Sequence, residues 1–170
     1  MEGESILQTT AEVSVALAGF TGVVAAFGQR RGHWTNLDTL RFQMMLTSSL
    51  AALVFSLLPL AVHYIGAKPA ATWAISSGLL ASYYLIWPSI DVHRWRRSGT
   101  RFTPHFRLWV MLLLVFLAAV ALVTQVLNAL NIGLHRAFGP YLLGVCLLIL
   151  ICAIIFARLL SFVGQQFAEE

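Results

Sequence analysis

The chain has 170 residues, 59% of them hydrophobic and only 11% charged, with a formal net charge of +4. Soluble domains carry about 25% charged residues, so composition excludes an ordinary soluble fold, and the length suits a single domain over residues 1–170. The basic residues stand in short clusters between apolar runs, which excludes the broad solvated basic surface of a nucleic-acid-binding protein.

Five apolar segments are predicted as helices, at about 6–28, 40–65, 70–90, 108–130 and 140–163. Each reaches the roughly 20 residues needed to cross hydrocarbon. The expected fold is therefore all-α, an integral membrane bundle of five transmembrane helices, with no linker or repeat dividing it. The leading MEGES is acidic and lacks a basic n-region, so no cleaved signal peptide is expected.

The first segment carries one carboxylate, Glu12, and no Lys or Arg between Ser5 and Gly28. A charge inside a membrane span is costly and marks a functional site by default. The alternative is a Glu12 close enough to the water boundary to snorkel. Ser5, Gln8, Glu12, Ala16, Gly19, Val23 and Ala26 recur at helical spacing as one stripe, polar at its start and small later. Ser14, Ala18, Gly22 and Ala26, four apart, form a second stripe of the kind that lets helices approach closely. This helix is expected inside the bundle.

The second segment opens after Thr35 or Asn36, either of which can cap it, with Asp38 in the first turn. Ser49, Ala52, Ser56, Pro59 and His63 share one face, which suits either a water-lined wall or close packing against small residues. Gly66 fits a left-handed C-terminal cap, as does Gly99 after a continuation of the third helix. Pro69, Pro104 and Pro140 fit first helical positions, with Thr103 capping the fourth helix, while Pro59 and Pro88 fall inside spans. Cys146 and Cys152 lie in one apolar run on different faces and cannot pair.

Orientation follows from the eleven basic residues. Arg30, Arg31, Arg41, Arg94, Arg96, Arg97, Arg101, Arg107 and Arg158 fall on one side, and Lys68 and Arg136 on the other. Positive residues stay cytoplasmic, so the N-terminus is expected outside the cell membrane and the C-terminus inside. Arg94, Trp95, Arg96, Arg97, Arg101 and Arg107 are expected at the anionic headgroups.

In that orientation Gln8, Glu12, His63, Ser76, Gln125 and Asn128 come from four helices at similar depth, with Ser56 below His63. Buried polar groups need partners, so they are expected either to line an outward-facing cavity or pathway or to act as interhelical glue. The leading functional expectation is a channel or transporter for an ion or small solute, with Glu12 binding a cation or proton. The alternative is a non-catalytic scaffold or subunit that binds a membrane partner, or its own copies, through the small-residue face and the basic loop. No catalytic set, metal-ligand set or cofactor motif is present, and no cofactor is expected. Only His63 of the five histidines falls in a span, so a bis-histidine haem would have to pair it with the loop residue His135, and no haem is expected.

AEVSVALAGFTGVV, GQRRGHW and TSSLAALVFSLLPL resemble a class of small, uncharacterised bacterial polytopic membrane proteins, over the first third of the chain and with no implied activity. The Ala-Glu-Val of the first span, with glycines after it, is similar to small multidrug-resistance exporters. That resemblance implies proton exchange for a cationic substrate at Glu12 alone. The chain departs from those exporters in its length, its fifth apolar segment and its basic loop.

Overall fold

The computed structural model describes the backbone of residues 3–30, 36–97 and 106–168. Side chains are described within 3–26, 39–93 except Asp91, 109–158 and at 160. The described chain forms five α-helices: α1 Glu4–Arg30, α2 Asn36–Tyr64, α3 Pro69–Arg97, α4 Phe106–Leu130 and α5 Phe138–Ala168. Four contain stretches long and apolar enough to cross a membrane: Glu4–Ala26, Thr39–Tyr64, Trp109–Leu130 and Phe138–Arg158. The predicted third span, 70–90, is not among them. Thr72, Ser76, Ser77, Ser82 and Ser89 dilute its apolar content, although α3 is as long as α2, at 29 residues each.

The helices run up and down. Glu4 of α1 meets Tyr64 of α2, and Thr10 meets Ser56, so these two are antiparallel. Tyr141 of α5 meets Phe55, and Cys152 meets Met45, so α5 also runs against α2. Trp73 at the start of α3 lies against Phe138 and Tyr141, which makes α3 and α5 parallel. Among the described residues α5 packs on all four other helices, whereas α1 meets α2 and α5 alone. The main core, built from Leu7, Phe55, Trp73, Leu80, Tyr84, Tyr141, Val145 and Leu148, fills the half of the bundle that holds the start of α1. Met45 and Cys152, with Leu17, Val24, Ile155 and Phe156, form a smaller core toward the other end.

The helix ends follow their local chemistry. Gly66 has φ 99°, and its N–H donates to the His63 carbonyl while that of Ala67 donates to Val62. This is the paired bonding of a Schellman cap, which needs a left-handed residue. α4 ends the same way on Asn131, φ 64°, with the Ile132 N–H reaching the Leu127 carbonyl. Pro69 opens α3 as predicted, but Pro140 is the third residue of α5 and not its first. It is tolerated there because the first turn has no intrahelical acceptors for its N–H groups. Thr35, Gly99, Thr103 and Pro104 lie outside the described residues.

Pro59 sits inside α2. Its ring removes the N–H that would bond the carbonyl four residues back, and that carbonyl belongs to Phe55. The Tyr141 hydroxyl of α5 donates to the Phe55 oxygen instead. The proline thus creates an acceptor inside the core, and a neighbouring helix satisfies it. One turn further along α5, Tyr84 donates to the Gly144 carbonyl at 2.8 Å.

Candidate functional site

The polar residues predicted at shared depth separate into two sets. Gln125, Asn128, Ser76 and Ser56 are fully buried. The Asn128 amide donates to Ser77 at 2.8 Å and to the Ala137 carbonyl at 3.1 Å, and its oxygen accepts the Ala137 N–H at 3.0 Å. Asn128 therefore ties α3 and α4 to the turn that leads into α5. Gln125 donates to the Pro140 carbonyl at 2.7 Å. Gly144 makes room for it, since a Cβ there would stand 2.4 Å from the Gln125 nitrogen. Ser56 joins α2 to α1 by accepting from Thr10 at 2.9 Å while donating to the Ala52 carbonyl at 2.8 Å. These contacts hold helices together. Of the residues predicted at shared depth, His63 Nδ1, Ser76 Oγ and the Gln125 oxygen are buried without a partner among the described residues, as are Trp87 Nε1 and Arg136 Nε elsewhere.

Glu12 and Gln8 are not part of this set. Both are exposed, on the side of α1 that faces away from the bundle. The buried side of α1 is Leu7, Ala11, Ser14, Thr21 and Ala25, which repeat at three-, four- and seven-residue steps. Register also separates Glu12 from His63. Glu4 pairs with Tyr64 and Thr10 with Ser56, so His63 stands about two turns from Glu12 along the bundle. The expected site joining Glu12 and His63 is not assembled within one chain. The expected position of α1 inside the bundle is corrected too: α1 is peripheral. The reason is that every helix has two sides, and the larger apolar contact took the side with Leu7.

The second small stripe divides the same way. Ser14 is buried and Ala18 half-buried, but Gly22 and Ala26 are exposed. A Cβ added at Gly19 or Gly22 would meet nothing within 4 Å. The exposed side of α1 thus includes the whole strip Ser5, Gln8, Glu12, Ala16, Gly19, Val23 and Ala26, flanked by the exposed apolar side chains of Ile6, Val13, Val15 and Phe20. Among the described residues neither Gln8 nor Glu12 makes a side-chain hydrogen bond or ion pair. The predicted headgroup residues Arg94, Trp95, Arg96, Arg97, Arg101 and Arg107 have side chains outside the described residues.

Thr10, Tyr84 and Tyr141 were not among the predicted site residues, yet they carry the contacts that lock α1 to α2 and α3 and α2 to α5. For Tyr141 a signal existed. Pro59 announces a freed carbonyl at Phe55, although not which residue supplies the donor.

The chain matches no family model, no curated protein and no solved structure.

Proposed function

We propose that this chain is an integral membrane module of five spanning helices whose working surface is the outward face of α1, where it docks a transmembrane helix. The observation that carries this reading is the exposure of Glu12. It lies one helical turn from the midpoint of the apolar stretch Glu4–Ala26. Glu12 is about 12 Å along the axis from Glu4, beyond the reach of a snorkelling glutamate side chain. A carboxyl facing hydrocarbon at that depth is unfavourable, whereas a protein partner can supply hydrogen bonds. Alternation of helix direction supports α3 as a fifth span, because α2 and α4 run the same way and α3 returns between them. The nine-to-two distribution of basic residues supports an outside N-terminus and a cytoplasmic C-terminus at an anionic leaflet.

One observation favours the other reading, a channel or transporter for an ion or small solute. His63, Ser76 and Gln125 each leave a buried polar atom unpartnered, on three neighbouring helices. Proteoliposome flux separates the two. The docking reading expects proton, cation and small-solute leakage equal to that of protein-free vesicles. Flux that appears with the protein and disappears in Glu12→Gln or Ser76→Ala overturns it in favour of a conduit.

A further inference from the structure

The turn between α4 and α5 is held in an unfavourable backbone shape. Asn131, His135 and Arg136 all have positive φ, at 64°, 52° and 50°. Asn131 caps α4, but His135 and Arg136 form a consecutive left-handed pair. Such pairs favour Asn–Gly, because bulkier side chains are strained there. Asn128 holds the pair in place. Its oxygen accepts the Ala137 N–H and its amide donates to the Ala137 carbonyl, so the residue after Arg136 is tied to α4. Strain kept at a fixed point invites a functional reading, and Arg136 gives that reading its chemistry. The Arg136 side chain is half-buried, and its Nε has no partner among the described residues. Glu4 brings a carboxylate to this end of the bundle, since Gly3 beside it touches the Phe138 ring, but Glu4 accepts from Tyr64.

We propose that Arg136 holds the phosphodiester of a phospholipid headgroup against the α4–α5 turn. This goes beyond the docking role of α1 and rests only on the reading that the chain spans a bilayer. The turn joins the apolar stretches Trp109–Leu130 and Phe138–Arg158, so it lies where hydrocarbon gives way to headgroups. Leu130 and Ile132 beside it are exposed and apolar, which seats the turn on lipid and not in free water. The acceptor that every phospholipid brings to that depth is its phosphate. A guanidinium offers a planar fork, Nε and one Nη side by side, that matches two phosphate oxygens. The flexible stem of Arg136 lets the fork swing to the headgroup layer while the backbone stays fixed. Because the turn is already anchored, less order is lost on binding. Basic side chains between membrane helices capture headgroups in this way. Lys68, in the α2–α3 turn at the same end, is exposed and serves as the control: it has the same charge on an unburied side chain.

The test uses the full chain purified in a maltoside detergent, which carries no phosphate. Phosphatidylglycerol is titrated in, and bound lipid is counted by native mass spectrometry. The parent should hold a phospholipid about tenfold more tightly than Arg136→Gln does. Arg136→Lys should fall between, since an ammonium keeps the charge and loses the fork. Lys68→Gln should match the parent, and diacylglycerol with the same chains should show no dependence on Arg136. Arg136→Gly separates binding from folding. Without lipid it should melt no lower than the parent, because glycine relaxes the left-handed backbone. With phosphatidylglycerol it should lose the rise in melting temperature that the parent gains. Equal lipid retention in Arg136→Gln and the parent, or an equal loss in Lys68→Gln, overturns the proposal. So does an Arg136→Gly variant that melts lower without lipid, which would give the guanidinium a partner inside the protein. Stabilisation by inorganic phosphate that depends on Arg136, with no phospholipid retained, overturns the lipid as source in favour of a free phosphate.

Discussion

Removing the Tyr141 hydroxyl tests whether Pro59 and Tyr141 form one structural device. Tyr141 is fully buried and its ring packs on Trp73, with centroids 5.7 Å apart. Tyr141→Phe keeps that packing and deletes only the donor to the Phe55 carbonyl. The carbonyl is then left unpaired in the core, because Pro59 offers it no N–H. Leaving a buried acceptor unsatisfied costs about 1–3 kcal/mol, and interhelical bonds in membranes fall at the low end of that range, so the expected loss is about 1–1.5 kcal/mol. Pro59→Ala restores a helical N–H to the same oxygen. In that background Tyr141→Phe should cost no more than about 0.5 kcal/mol, which gives a coupling near 1 kcal/mol in a double-mutant cycle. Reversible unfolding in lipid bicelles measures all four proteins. Equal costs of Tyr141→Phe in both backgrounds would refute the reasoning, because the hydroxyl would then not be replacing the bond lost to the proline.

Further substitutions probe the α3–α4–α5 contact. Gly144→Ala should destabilise by about 1–3 kcal/mol, the usual range for overpacking, because its Cβ meets the Gln125 nitrogen at 2.4 Å and Leu80 at 3.1 Å. Gln125→Ala in the same chain should recover part of that loss, and a melting temperature unchanged by Gly144→Ala would show that the approach is looser. Asn128→Ala removes three hydrogen bonds and should cost about 2 kcal/mol at the membrane average per bond. Asn128→Asp keeps an acceptor for the Ala137 N–H but sets a buried carboxyl against the Ala137 carbonyl, so it should cost more than Asn128→Ala in the same unfolding assay; parity with the parent protein in either variant would remove the anchoring role.

Much of the architecture was legible in the residues. Helix number, the Gly66 cap and the Pro69 start follow from run length, backbone freedom and a missing N–H, all local properties that hold whatever the helix packs against. The polar stripe of α1 was legible as a stripe, and Glu12 as its unusual member. Which way that stripe points was not. Both sides of α1 offered small or apolar residues at helical spacing, and only the fit of Leu7, Ala11, Ser14 and Thr21 against α2 and α5 decided between them. The same limit hid the partners of Gln125, Asn128 and the Phe55 carbonyl. A sequence declares that a buried polar atom needs a partner, but the partner is chosen by helices that meet in space from 9 to 86 residues away along the chain. The tertiary structure thus turned a predicted cluster of four helices into two things: a set of interhelical ties inside the bundle, and a glutamate on its outside. The physical reason is that periodicity defines which residues share a face, whereas only packing defines what that face looks toward.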